Sequence, residues 1–128
     1  KMMNEKLLRT FTVNVNMKAL TKNINTRATF KKNDFKTGVL AFNLNMDGIP
    51  LDITDCEVKA FILNSDNEKE CIEGIITSPK HGKVCIGLSK KALSCIGENR
   101  MELLVKYGEQ KLYSPKMYYK VSETIFKD

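Results

Sequence analysis

The amino-acid sequence predicts an all-β fold, an immunoglobulin-like β-sandwich of about eight short strands with one short helix. Three observations carry that expectation. Apolar and polar residues alternate with period two in several short segments; clusters of Asp, Asn, Gly and Pro punctuate those segments at regular intervals; and 128 residues suffice for one core but not for two. A single domain over residues 1–128 follows, with no cleft between domains to house an active site.

The first strand is TFTVNVNM, residues 10–17, with Phe11, Val13, Val15 and Met17 on one side and Thr12, Asn14 and Asn16 on the other. Residues 24–31, INTRATFK, form a second, and KNDFKTG is a loop. Residues 39–46, VLAFNLNM, alternate again and turn Leu40, Phe42 and Leu44 inward. Asp47-Gly48 supplies the positive backbone angles of a tight turn. Pro50 lacks an amide and belongs at an edge or between strands. Leu51 and Ile53 drop into the core while Asp52, Thr54 and Asp55 shape a second corner, at which the chain changes position, a change of sheet being one way to do so.

The next strand, 56–63, places Val58, Ala60 and Ile62 on one face and Lys59, Phe61 and Leu63 on the other. NSDN turns into a strand over 68–76, and SPKHGK into another over 84–87. Residues 89–96, SKKALSCI, read as the short helix: Ser89 is a suitable N-cap, Ala92, Leu93 and Ile96 share a face, and Gly97 stops it. Residues 100–107 alternate with Met101, Leu103, Val105 and Tyr107 inward. YGEQK then turns into a strand over 112–121 whose inward set is Tyr113, Pro115, Met117, Tyr119 and Val121.

Composition narrows the function. The longest apolar runs, such as AFIL at 60–63, fall far short of the roughly 20 residues that span a bilayer, so no membrane insertion is expected. The N-terminus KMMNEKLLRT lacks a secretory apolar stretch and begins with Lys, which reads as a processed, engineered or partial form and as the front piece of something longer. Cys56, Cys71, Cys85 and Cys95 form no C-x-x-C pair; free, mostly buried thiols in a reducing cytoplasm are expected. The net charge of +6 comes mainly from lysines interspersed with acids, whereas a nucleic-acid site would cluster its charge and favour Arg.

No motif demands catalysis or a cofactor. His81 is the lone histidine and sits beside Gly in a polar turn; an enzyme is not expected, although a Cys–His pair formed in space is not visible to sequence reasoning. Asp47, Asp52 and Asp55, like the oxygen-rich Asn64–Asn67, lack the ligand register of a calcium loop and fit turn formation better. CIGLSKKALS lacks the spacing of a phosphate-binding loop. Neither a metal nor another cofactor is expected.

The ordered features do carry a resemblance. The run GVLAFNLNMDGIPLDITDCEVKAFILNSDNE contributes an apolar strand, a G-x-P-L-D-[IL]-T corner and a V-x-A-F strand. The run GKVCIGLSKKALSCIGENRMELLVKYGEQKLYSPKMYYKV adds a G-K-V strand, the ALSCIG segment and a closing S-P-x-M-Y-Y-x-V strand. Over residues 25–121 this order resembles the N-terminal domain of siphophage baseplate upper proteins. Asn64–Asn67 departs from it by lacking a turn Gly, which Asn replaces by tolerating the same left-handed backbone. The resemblance implies a structural protein of the virion tail baseplate, or of a tail-like particle, made in the bacterial cytoplasm. It implies symmetric copies, with other baseplate or tail proteins and receptor-binding proteins as partners. A carbohydrate-binding or adhesive module is the alternative from another class; it wants aromatic platforms, and the chain has no Trp.

If strands 56–63, 100–107 and 112–121 are neighbours in one sheet, Phe61, Leu63, Leu104 and Tyr118 face outward together. Large apolar residues on an outer face mark a partner surface. Leu7 and Leu8 have no place in the pattern of the first strand; packing across a sandwich opening and pairing with a neighbour's sheet edge are the two roles open to them.

Overall fold

The computed structural model describes residues 5–126, so Lys127 and Asp128 of the C-terminal tail lie outside it. Eleven strands occur among the described residues: β1 (Arg9–Asn16), β2 (Ile24–Lys31), β3 (Gly38–Met46), β4 (Ile49–Pro50), β5 (Glu57–Leu63), β6 (Lys69–Glu73), β7 (Ile75–Ser78), β8 (Lys83–Gly87), β9 (Gly97–Tyr107), β10 (Gln110–Tyr113) and β11 (Met117–Ser122). They form two sheets. The first has the order β1-β3-β8-β7 with β4 added to β3, and the second β2-β11-β9-β5-β6 with β10 added to β9.

The β-sandwich expected from the alternation is present, and the larger strand count has a physical origin. The single strand expected over 68–76 is one run that changes sheet at Gly74, leaving β6 in the second sheet and β7 in the first. Gly74 makes this possible by close approach. Its amide donates to the Val58 carbonyl at 2.7 Å, and a Cβ there would stand 2.8 Å from a Val84 methyl.

The strand expected over 112–121 is likewise one run interrupted. Tyr113 pairs with Leu104 and Met117 with Met101, so four steps on this strand oppose three on β9. One extra residue makes a β-bulge and flips every side chain before it to the other face. Tyr113, expected inside, is therefore 46% exposed, while Pro115, Met117, Tyr119 and Val121 are buried. Ser114 repairs the broken ladder: its amide donates to the Leu103 carbonyl at 2.9 Å, and its hydroxyl accepts the Leu103 amide at 2.8 Å.

Two more expectations are corrected. The helix over 89–96 is one 3-10 turn, Lys91–Leu93. Ser89 Oγ does accept the Ala92 amide at 3.1 Å, and Ala92 and Leu93 are buried, but Ile96 is exposed. A chain that must cross from β8 to β9 over the end of the sandwich has room for a turn, not for a longer helix. Tyr107 keeps the inward parity of β9 but lies at the tip of the β9–β10 hairpin, beyond the core, and is exposed.

The remaining assignments hold. Asp47 (φ 49°) and Gly48 (φ 91°) form the two-residue turn that pairs Met46 with Ile49. Ile53 is fully buried, and the chain passes from the first sheet at β4 to the second at β5. The core between the sheets holds Val15, Phe42 and Leu44 from one side and Ala60, Leu103 and Tyr119 from the other. Phe30 sits edge-on to Phe11 at 5.3 Å and to Tyr119 at 6.1 Å, locking strands of both sheets together.

Two pairings, β1 with β3 and β2 with β11, are parallel. β2 carries an irregularity at Arg27, which has the left-handed φ of 60°. Side chains support it: Asn25 accepts the Arg27 amide at 2.9 Å, and Thr26 accepts the Ala28 amide at 3.2 Å while donating to the Tyr118 carbonyl at 2.8 Å.

Candidate partner interface

The outer face of the second sheet is assembled from cross-strand rows. In one row Tyr118 of β11, Arg100 of β9, Leu63 of β5 and Lys69 of β6 stand side by side. In the next, Glu102, Phe61 and Cys71 are aligned, with Lys116, the residue just before β11, also lining the same groove. A third row contains Tyr113, Leu104, Lys59 and Glu73. This placement is set by alternation alone, because the partners of these residues at i±1 fill the core.

The expected neighbours β5, β9 and β11 are thus adjacent, and Phe61, Leu63, Leu104 and Tyr118 share one outer face. They are not equally available. Phe61 is exposed, Leu63 and Tyr118 are half-buried, and Leu104 is only 6% exposed, flanked by Lys59 and Tyr113 in register. Leu104 therefore serves the packing of the face more than its contact surface. Leu7 and Leu8 precede β1 in the other sheet and do not join this face; Leu7 is exposed and Leu8 half-buried.

Between β6 and β11 the face is hollowed into a groove of about 430 Å³, whose lining includes Phe61, Leu63, Cys71, Lys69, Arg100 and Lys116. Sequence reasoning missed the cations and Cys71. The signal was present in the same alternation that assigned Leu104 to the outer face, since Arg100 and Glu102 share its parity. A second hollow of about 700 Å³ lies by the β4–β5 corner and the β9–β10 hairpin, lined by residues that include Asp52, Asp55 and Tyr107.

Groups considered for chemistry have local structural work. Asp47 accepts from Asn16 at 3.1 Å and pairs with Lys18 at 2.9 Å, contacts that lower its carboxyl below the ordinary value. Asp52 accepts both the hydroxyl and the amide of Thr54, which lower its carboxyl likewise. Asn64 is buried and folds its own turn, accepting the amides of Asp66 and Glu68. His81 is exposed and shares a 2.9 Å hydrogen bond with Ser78 Oγ. Among the described residues no three His, Cys, Asp or Glu side chains gather as a metal would require.

The four thiols are free, but the expectation that most are buried needs correction. Only Cys95 is buried; Cys71 is exposed because it stands on the outer face of β6, and Cys56 and Cys85 are intermediate. Partial burial pushes the Cys56 and Cys85 thiols up, with Asp52 and Asp55 adding to the first and Glu5 to the second. No described helix is long and apolar enough to cross a membrane.

A β-sandwich with one hollowed, partly apolar outer face defines a structural domain with a surface suited to protein contact. Comparison with known proteins specifies the class. Residues 9–128 match the family of BppU N-terminal domains, and the chain belongs to that family of baseplate upper proteins. Membership gives it a structural role in a phage baseplate, in the virion tail. Among solved structures it is similar to the N-terminal domain of phage TP901-1 ORF48, with a TM-score of 0.69 and 13% identity over 88% of this chain and 98% of that one, a likeness of fold. No curated protein sequence matches the chain.

Proposed function

We propose that this domain is a non-enzymatic assembly module, repeated as symmetric copies, that docks on neighbouring baseplate proteins through the outer face of its second sheet. By holding that position it anchors or connects the receptor-binding proteins. The observation that supports this reading is the gathering of Phe61 and Leu63 of β5 and Tyr118 of β11, two strands on either side of β9, on one outer face beside a groove, an apolar surface that a free monomer gains nothing by exposing. Symmetry multiplies modest contacts, so a face of this size serves in a particle even where a single copy would bind weakly.

The test is to introduce Phe61→Asp with Leu63→Asp into the phage that carries the chain and to measure the chain's content in purified particles. Loss from the particle, with an unchanged melt of the free variant, is the expected result. Normal incorporation would overturn the reading.

A further inference from the structure

The charges around the groove say what kind of segment it accepts. Its floor is apolar, from Phe61, Leu63 and Cys71, and its rim carries Lys69, Arg100 and Lys116. None of these three cations makes an ion pair or side-chain hydrogen bond among the described residues; the two ion pairs found there, Arg9–Asp34 and Lys18–Asp47, lie elsewhere. Against the three cations stands one outward carboxylate, Glu102. Glu70 also borders the groove, but its carboxylate receives the Ser89 hydroxyl and is engaged. Arg100 is the best placed of the three, held in register between Tyr118 and Leu63. A guanidinium placed there presents the planar fork that pairs bidentately with a carboxylate.

We propose that the groove receives an acidic segment of a neighbouring protein, whose large apolar side chain seats on Phe61, Leu63 and Cys71 while its flanking carboxylates pair with Arg100, Lys116 and Lys69. This rests on the partner-face reading and specifies the chemistry of the partner. The groove crosses four strands, β6, β5, β9 and β11, a width of about 14 Å, which about ten helical or about four extended residues would span. A nucleic acid fits the face less well: outside the groove the charges alternate in register as Glu57 with Lys106, Glu73 with Lys59 and Glu98 with Lys120 rather than forming a basic track, and a polyanion would leave the apolar floor without a counterpart.

The experiment uses the phage that carries the chain, with three variants: the charge reversal Arg100→Glu/Lys116→Glu, the charge-preserving Arg100→Lys/Lys116→Arg, and the apolar disruption Phe61→Asp. Chain content of purified particles is quantified, and maleimide labelling of Cys71 is compared between the free wild-type chain and the particle. The expected result is a loss of incorporation of at least about tenfold on charge reversal, near-normal incorporation of the charge-preserving variant, and protection of Cys71 in the particle. If Phe61→Asp is lost but charge reversal is incorporated normally, the face is an interface and the acidic partner is wrong. If both are incorporated normally and Cys71 labels equally in both states, the interface reading falls with it. Self-association of the isolated chain that protects Cys71 would make the occupant a second copy and overturn the proposal.

Discussion

The phenol of Tyr119 donates a 2.6 Å hydrogen bond to the backbone carbonyl of Ala92, fastening β11 to the 3-10 turn that closes one end of the sandwich. Both residues are fully buried, so neither group has water to fall back on. Replacing Tyr119 with Phe keeps the ring that packs on Phe30 and leaves the carbonyl unsatisfied. The expected cost is about 1–3 kcal/mol in urea unfolding, with an unchanged dependence on denaturant.

The same phenol gives stability an alkaline limb. Burial raises its ionisation well above the ordinary value of 10.0, with Glu70 and Cys95 adding to the shift. Below that ordinary value both states hold the proton and the contribution is full. As pH rises beyond it the unfolded chain releases the proton first, so stability falls with pH up to the folded value. Unfolding measured from pH 9 upward should show wild type losing stability faster than Tyr119→Phe.

Ser114 substitutes a hydroxyl for the ladder carbonyl that the β-bulge displaces. Ser114→Ala would leave the buried Leu103 amide without its 2.8 Å acceptor. A destabilisation of about 1–3 kcal/mol is expected, together with faster hydrogen exchange at the Leu103 amide. An unchanged exchange rate would mean that another group takes over the bond.

Asp47 makes the β3–β4 turn sensitive to acid. Its contacts with Lys18 and Asn16 lower its folded ionisation below 3.8, so its contribution is present above that value and lost as pH falls through the lowered one. Wild type should melt above Asp47→Asn at pH 7, and the difference should vanish at strongly acidic pH. Because the pair is exposed, added salt should shrink it too.

Much of the fold was legible because alternation reports burial directly. Val13, Val15, Leu40, Phe42, Leu44, Val58, Ala60 and Ile62 are buried as their parity predicts. Parity fails where the chain gains a residue or leaves the core: the bulge at Ser114 turned Tyr113 outward, and the hairpin tip carried Tyr107 into solvent. The parallel pairings of β1 with β3 and β2 with β11 join segments distant in sequence, and no local pattern encodes them. On the face itself Phe61 and Leu63 could be read from parity, whereas Arg100 and Lys116 resembled ordinary solvated charges until the register set them around one groove.

The left-handed kink at Arg27 bears on how the edge of the second sheet meets other strands. β2 is an outer strand of its sheet, and the amides of Arg27 and Ala28 are already taken by the side chains of Asn25 and Thr26. A strand arriving from another molecule would find the donors and acceptors out of step and two of them occupied. The kink thus works as a stop against lateral zippering, because a strand from another molecule cannot extend the second sheet past β2 in continuous register.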